Sequence, residues 1–305
     1  MRPDYEVVIV NYRGRSQLER LLMELPGHVP VTVVDNSAET EPVDHPVHSR
    51  PAGRYIDAGG NIGFGSAANL GARKADAPIL IFLNPDCVVP DAVLQALADN
   101  VAADEQLGSC HPAVKWLSGT VQVGGGGWQP TLSRAIVHAL GLHILFPNRG
   151  IWARPRAGKN LEVEWLAGGC LAVRRNVFLD VGGFDEKFFL YGEDMSLGRR
   201  MHDAGFRQVI LADLWVQHGG GSSTDVVDTW IWHQRGAALA RVLEENNSHA
   251  SALAMRIVLA FGFWLRAICY RLAGKKRRAR EMVGYAAALF EKDEMRPPTL
   301  PASTV

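Results

Sequence analysis

The sequence has few cysteines, and none of them lies close to another. The four, Cys87, Cys110, Cys170 and Cys269, form no Cys-x-x-Cys pair. This spacing argues against a disulfide framework and against a cysteine-based zinc site, and it suits a reducing cytoplasm.

The sequence also lacks a net charge and a recognisable leader. Its 32 Lys and Arg balance 32 Asp and Glu, so no overall field draws it to nucleic acid, and we expect no nucleic-acid partner. The first residues, "MRPDYEVVIVNYRG", show no basic region followed by an apolar segment and a cleavage site. We therefore expect no signal peptide.

Near the C-terminus the sequence lacks an apolar run long enough to span a bilayer. Between Arg256 and Arg266 the run has nine residues, whereas a spanning helix needs ~20. Apolar side chains nevertheless recur at helical spacing, and a basic cluster follows them. The apolar positions are Leu253, Ile257, Phe261, Trp264 and Ile268, and the basic ones are Lys275, Lys276, Arg277, Arg278 and Arg280.

This combination predicts peripheral contact with an anionic membrane. The expected location is the cytoplasm, at the inner face of the cell membrane. The alternative is that the apolar stripe packs on the catalytic domain or on a second copy in a homodimer, with the basic residues merely solvated.

What is present in the first 115 residues is an alternation of strand and helix signals. β-branched runs such as "EVVIV", "VTVVD" and "ILIFL" are separated by segments with helical periodicity. This order predicts an α/β fold with a parallel sheet covered on both faces. Ligands of such sheets bind at the carboxyl ends of the strands, where Asp35 and Asp86 lie.

The rest of the chain divides less clearly. We expect a catalytic domain over 1–224, with a donor half of about 1–115 and an acceptor half of about 116–224. Helices are expected over 225–291, followed by a disordered tail over 292–305. The stretch from Thr131 to Lys159 shows no clean period and is predicted to be a mobile loop over the site.

Four polar positions fall at the ends of predicted elements: Asp35, Asp86, the pair Glu193-Asp194, and His218. Each has a structural explanation, because Asp favours turns and acids favour the first turn of a helix. Taken alone, a turn or capping role and a ligand role are about equally good interpretations.

The order of these residues resembles the inverting glycosyltransferases of family 2, which have the GT-A fold, and among them the rhamnosyltransferases. The resemblance covers roughly residues 6–223. It depends on six segments in the family's order: "VVIVNYRG", "VVDNS", "GGNIGFGSAANLGA", "FLNPDCVVPDA", "WLAGGCLAVRRNVFLDVGGFDEKFFLYGEDMSLGRRMHDAG" and "QHGGGSS".

The resemblance implies a role for each matching residue. The donor would be a nucleoside-diphosphate sugar, with dTDP-L-rhamnose expected from the rhamnosyltransferases, and the acceptor would be a glycan or a polyprenyl-linked molecule. A divalent cation, Mg²⁺ or Mn²⁺, would be held by Asp86 and His218. The catalytic residues would be Asp194, as general base, and Glu193. The donor would be bound by Tyr12, Asp35, Asn61, Asn69, Asn84 and Arg200, and the acceptor side would include Trp165, Gly168 and Gly169.

Inverting transfer needs this chemistry. A cation neutralises the departing diphosphate, and one carboxylate takes the proton of the acceptor hydroxyl. Two departures from the family pattern stand out. Asn84 replaces the first acid of the metal motif and supplies no charge, and Ser196 replaces an acid in the following helix.

Other functions remain open at this stage. Gly63, Gly65 and Ala68 match a dinucleotide-binding fingerprint, but the preceding "RYID" is too polar for its strand. A nucleotidyltransferase would need a glycine-rich phosphate loop after the first strand, which is missing. Within the resemblance, a UDP- or GDP-hexose transferase and a non-catalytic sugar-nucleotide-binding protein are the alternatives.

Overall fold

A computed structural model describes residues 5–37, 46–50, 52–116, 118–219 and 228–291 of the 305-residue chain. The chain divides into two compact units. The first contains Met1–Pro130 and Leu142–Ser223, and the second contains Thr131–Gly141 and Thr224–Val305. The predicted disordered tail, 292–305, lies outside the described residues.

Strands and helices alternate through the first hundred residues, as the sequence predicts. The strands are β1 Tyr5–Asn11, β2 Val31–Asp35, β3 Gly53–Asp57, β4 Ile79–Leu83, β5 Cys87–Val88, β6 Leu107–Trp116, β7 Gly126–Gly127, β8 Leu161–Val163, β9 Trp165–Leu166, β10 Cys170–Arg174 and β11 Arg207–His218. The helices are α1 Arg15–Glu24, α2 Phe64–Lys74, α3 Asp91–Ala103, α4 Leu132–Ala139, α5 Arg175–Asp180, α6 Glu193–Asp203, α7 Asp228–Asn246, α8 His249–Leu272 and α9 Lys276–Ala288.

Nine of these strands form one mixed sheet in the order β3-β2-β1-β4-β10-β6-β11-β5, with β8 paired to β11. Strands β1 to β4 are parallel to one another, as in a Rossmann-like sheet. Strand β10 enters antiparallel between β4 and β6. The predicted α/β class, with a parallel first half and a mixed second half, is confirmed.

The core of the first unit lies on both faces of the sheet, and the central strand β4 is apolar at every position. In β4, Ile79, Ile81 and Leu83 join the cluster that includes α1 and α3. Leu80 and Phe82 point the other way and join the cluster that includes α2, α5 and α6. This alternation is the period of two expected for a strand, here with both faces covered by helices.

The stretch from Thr131 to Lys159 is not the loop that the sequence predicts. It begins with α4, whose first turn is capped by the Thr131 hydroxyl, which accepts a hydrogen bond from the Arg134 amide at 3.3 Å. Helix α4 belongs to the second unit, where Gly262 of α8 leaves room for Ala139. The prediction was wrong for residues 132–139, because the buried Ala135 and Ala139 and the His138 ring, whose centre lies 5.9 Å from that of Phe263, pack within the second unit.

The second unit is helical, as predicted for its described part. Helices α7, α8 and α9 pack together, and glycines allow the closest approaches. A Cβ at Gly236 of α7 would lie 2.6 Å from the Tyr285 carbonyl of α9, and one at Gly262 would lie 2.5 Å from Ala139 Cα. These two positions therefore require glycine for packing.

Candidate functional site

Asp35 lies at the carboxyl end of β2, at the edge of the sheet where ligands of parallel folds bind. Its carboxylate is buried and accepts two hydrogen bonds. One comes from the Ser37 amide to Oδ1 at 2.8 Å, and the other from the Tyr55 hydroxyl to Oδ2 at 2.7 Å. Tyr55 was not among the residues predicted from the sequence, yet it fixes the orientation of this carboxylate.

Tyr12 lies in the loop between β1 and α1, next to Asp35. The register of the sheet pairs Asn11 with Asp35, and the Arg13 amide donates to the Ser37 hydroxyl at 2.7 Å. The Arg13 guanidinium lies 5.6 Å from the centre of the Tyr12 ring. The structure therefore brings together the Tyr12 loop and Asp35, which the sequence predicted to act together.

Asn84 and Asp86 follow β4 at the same edge. The Asn84 amide donates to the Gly169 carbonyl at 2.9 Å, and its own carbonyl accepts from the Cys87 amide at 3.1 Å. Gly169 is brought here by β10, which begins at Cys170 and pairs with Leu83. The predicted donor-side motif and one predicted acceptor-side residue are thus neighbours in space.

Asp86 and His218 form the clearest constellation at this edge. Strands β5 and β11 pair antiparallel with His218 opposite Cys87, which places the His218 Nε2 3.2 Å from the Asp86 Oδ1. Both side chains are largely buried, since 20% of the His218 side chain and 14% of the Asp86 side chain are exposed. The two predicted metal ligands, separated along the chain by more than half of the catalytic unit, therefore meet.

The chemistry of this pair fits a hard divalent cation. Among the described residues, the His218 Nδ1 is buried and has no hydrogen-bond partner. A carboxylate oxygen just before β5 and an imidazole nitrogen at the end of β11 are ligands that Mn²⁺ and Mg²⁺ accept.

Cys87 also has its ligand atom within 4.8 Å of the other two, but its chemistry differs. Burial, followed by the nearby Cys170 and Asp86, raises the pKa of the Cys87 thiol well above its usual value. A thiol binds a metal as thiolate, so this side chain is poorly suited to be a ligand. Its Sγ instead lies 3.5 Å from the Gly169 carbonyl, to which it donates.

The acidic pair begins α6. Tyr191 and Gly192, which precede it, both have positive φ, at 67° and 86°. Such a conformation is unfavourable for a tyrosine, and residues held in this way are concentrated at functional sites. Glu193 is buried and Asp194 is half-buried, and both lie in the first helical turn, where the helix dipole favours a carboxylate.

The glycine-rich turn 59–63 connects these parts. Asn61 Oδ1 accepts a hydrogen bond from the Asn36 side-chain amide at 3.0 Å, which ties the turn to the end of β2. A Cβ at Gly63 would lie 2.5 Å from the Phe189 carbonyl, and one at Gly65 would lie 3.4 Å from Glu193 Cγ. The glycines of the apparent dinucleotide fingerprint are therefore required by packing against the segment that leads into α6.

Four of the predicted residues lie in the structure around the site. Asn69 is buried and bonded to Phe184 and Glu186. The Arg200 guanidinium donates to the Val181 and Gly183 carbonyls, in the segment that leads into α6. Buried Trp165 packs against Gly198 of α6, and a Cβ at Gly168 would lie 2.6 Å from the Phe64 ring. These contacts support a role for all four residues in holding the segments around the site in place.

With this geometry described, comparison with known proteins identifies the family. The sequence model for glycosyltransferase-like family 2 matches residues 3–247. The chain belongs to this family. It is therefore a glycosyltransferase, as the six sequence segments predicted.

Relatives and solved structures agree with this assignment. The chain is 33% identical over 238 residues to an N-acetylglucosaminyl-diphospho-decaprenol L-rhamnosyltransferase of Mycobacterium tuberculosis, covering 72% of this chain and 76% of the relative. It is 27% identical over 213 residues to the rhamnosyltransferase WbbL of Escherichia coli K12, covering 66% and 78%.

Among solved structures, the mannosyltransferase PcManGT of Pyrobaculum calidifontis, in complex with GDP-Man and Mn²⁺, superposes with a TM-score of 0.61. The match covers 96% of this chain and 89% of that one at 16% identity. Identity at this level supports the fold alone. The predicted GT-A fold of this glycosyltransferase is confirmed.

Proposed function

We propose that this glycosyltransferase moves L-rhamnose, with inversion, from dTDP-L-rhamnose to a polyprenyl-linked glycan in the synthesis of cell-wall or surface polysaccharide. The relatives named above, which are L-rhamnosyl- or rhamnosyltransferases, support the sugar and the acceptor class. The observation that carries the proposal is the meeting of Asp86 and His218, with Nε2 and Oδ1 3.2 Å apart at the ligand-binding edge of the sheet.

Asp86 and His218 would hold the divalent cation. When bound, the cation supplies positive charge that neutralises the diphosphate as it leaves. Asn84 adds no charge to this site, so the chain offers one carboxylate and one imidazole for the ion.

Asp35 and Tyr12 would bind the nucleoside. An ionised carboxylate oxygen has two lone pairs, so each oxygen of Asp35 can accept one more hydrogen bond besides those from Ser37 and Tyr55. The N3–H of thymine is a suitable donor. Tyr12, half-buried in the adjacent loop, offers a ring beside the base.

Asp194 would act as the general base that takes the proton from the acceptor hydroxyl. Inversion in one displacement requires a single base and no protein nucleophile. The strained turn at Tyr191 and Gly192 fixes where the first turn of α6 presents this carboxylate. Buried Glu193 packs beside Gly65 and would hold the turn in place.

A UDP- or GDP-hexose donor is the alternative within the same fold, and a thermal-shift panel separates the donors. The protein is melted with dTDP-L-rhamnose, UDP-glucose and GDP-mannose, each with MnCl₂, MgCl₂ or EDTA. A ligand at 100 times its Kd stabilises the native state by about 2.7 kcal/mol, so the true donor should stand out. A response to UDP-glucose or GDP-mannose alone would refute the choice of donor.

Two substitutions then test the assigned roles. Asp86→Asn should weaken donor binding with Mn²⁺ at least about tenfold and leave binding in EDTA unchanged, whereas the exposed control Asp99→Asn should change neither. Asp194→Asn should abolish transfer while the donor still raises the melting temperature. Transfer retained by Asp194→Asn would remove this residue from the role of base.

A further inference from the structure

Helix α8 carries an apolar stripe that is exposed along its length. Leu253, Ile257, Phe261 and Trp264 are 40%, 53%, 54% and 54% exposed. The opposite side of the helix, which includes Met255 and Leu259, is buried within the second unit. These four positions of the predicted stripe are therefore exposed to between two fifths and just over half, and contiguous exposed apolar side chains often mark an interaction or membrane surface.

The exposed stripe continues onto α9. Ala260, Phe261 and Trp264 of α8 line a shallow apolar groove together with Val283, Ala286 and Ala287 of α9. On α9, Lys276 and Arg280 stand seven and three residues before Val283. This spacing places both cations on the face of α9 that lines the groove.

The charge beside the groove has one sign. From Lys275 to Arg280 the chain has five basic residues and no acid, and Glu281, which follows, lies 3.3 Å from Arg277. Lys275 and Lys276 lie at the N-terminus of α9, where the helix dipole disfavours positive charge. Arg277 pairs with Glu281 and Arg278 lies over the Tyr270 ring, but helix stability does not account for the two lysines, whereas an anionic partner would.

We propose that this surface, formed by Ile257, Phe261, Trp264 and Val283 with the cations Lys275, Lys276 and Arg280, docks the enzyme onto an anionic lipid leaflet. Apolar side chains would enter the acyl boundary and the cations would contact the headgroups. A second copy is a poorer occupant because a symmetric contact over this surface would bring two clusters of the same charge together.

Helix α8 would lie in the plane of the interface. Contrary to the expectation from the nine-residue apolar run, the 24 residues of this helix are long and apolar enough to cross a bilayer by length and composition. However, the inner side of α8 packs against other residues of the second unit. The Arg266 guanidinium donates to the His138 carbonyl of α4, and the Arg256 guanidinium donates to the Leu289 carbonyl. Crossing the bilayer would break these contacts, so the helix presents only its outer side to lipid.

This inference deepens the proposed function, since a polyprenyl-linked acceptor resides in a membrane, but it is tested by binding and not by transfer. The full-length protein is sedimented with vesicles of phosphatidylcholine alone and with vesicles containing 30% phosphatidylglycerol. Vesicle binding without rhamnosyl transfer would support the docking surface and count against the proposed donor or acceptor. Rhamnosyl transfer without vesicle binding would support the proposed function and count against the docking surface.

Matched variants separate the contributions. Each basic residue near an anionic surface contributes roughly fivefold, so Lys275→Gln/Lys276→Gln/Arg280→Gln should lower binding on the order of 100-fold. The control Arg20→Gln/Lys74→Gln/Lys159→Gln removes the same charge from exposed positions of the first unit and should have little effect. Phe261→Ser/Trp264→Ser should also abolish binding, whereas Met23→Ser, at an exposed residue of α1, should not.

Three outcomes would overturn the proposal. One is equal loss of binding in the charge variant and its control. Another is a wild-type dimer in sedimentation velocity without lipid that Phe261→Ser/Trp264→Ser converts to a monomer, with no binding to anionic vesicles. The third is wild-type protein that stays on the vesicles in 0.5 M NaCl and alkaline carbonate, as an integral protein would. Melting temperatures of all variants within about 2 °C of the wild type verify that they are folded.

Discussion

Asn69 offers the sharpest test of how this site is built, because sequence and structure give it different roles. The family resemblance assigns it to donor binding. In the structure, its Oδ1 accepts from the Phe184 amide at 2.8 Å, and its Nδ2 donates to the Phe184 carbonyl at 2.8 Å and to Glu186 Oε1 at 3.0 Å. Asn69→Ala should therefore destabilise the segment that leads into α6 and leave donor affinity nearly unchanged.

The expected loss follows from these bonds. Phe184 is 1% exposed, so the substitution leaves its backbone N–H and C=O without a partner in the interior. Each unsatisfied buried group costs about 1–3 kcal/mol. The bond to Glu186 contributes less because that carboxylate is 52% exposed and solvated. We expect a loss of about 2–4 kcal/mol, or a fall in Tm of about 4–10 °C for a chain of this size.

The assay compares thermal melts and donor binding for Asn69→Ala and for Asn100→Ala. Asn100 is an exposed asparagine of α3 whose side chain donates to the Ala96 carbonyl, so its substitution should cost less than about 0.5 kcal/mol. A weakened donor Kd for Asn69→Ala with an unchanged Tm would refute the positioning role and restore the role in donor binding.

Two further predictions concern buried groups. Burial lowers the pKa of His111 to about 4. The neutral form is thus favoured in the native state, and stability present above pH 6.5 should be lost as the pH falls toward 4, by about 3 kcal/mol. Thermal melts at pH 7.5 and 4.5 should show this loss in the wild type and a smaller one in His111→Leu; equal losses would contradict it. Gly63→Ala should lower Tm by about 5 °C or more, because φ is 89° and the new Cβ would meet the Phe189 carbonyl at 2.5 Å. Gly59→Ala, where no atom lies within 4 Å, shares the positive φ without the clash and should cost less in the same melts.

Local periodicity was sufficient to predict most of the parallel half of the sheet. Strand β4 and helix α3 carry their signals within their own residues, as a continuous apolar run and as an amphipathic pattern beginning at Asp91. The place of β10 was not predictable in this way, because its antiparallel entry depends on the choice of a partner far along the chain. Helix α4 was missed although its signals were present, with Thr131 as N-cap and Gly141 after its end.

In the candidate site, too, the residue types were predictable from local motifs, whereas the contacts between distant residues were not. Motifs indicated Asp35, Asp86 and His218, but only the pairing of β5 with β11 shows that the last two meet. A motif gives the residue type and not the direction of its side chain, so the bonds of Asn69 to Phe184 and of Arg200 to Val181 and Gly183 could not be predicted from the sequence. Tyr55 was missed, although the parallel register pairs it with Val33, two residues before Asp35.

The pairing of Asp86 with His218 also sets an order of events during synthesis. At translation rates of about 5–20 residues per second, Asp86 is synthesised roughly 7–26 s before His218. Strands β1 to β4 can pair in that interval, but β5 and β11 must pair before Asp86 and His218 lie together. A nascent or truncated chain that ends before His218 therefore has Asp35 and Asp86 without this pair, so under the proposed function the cation site would form last.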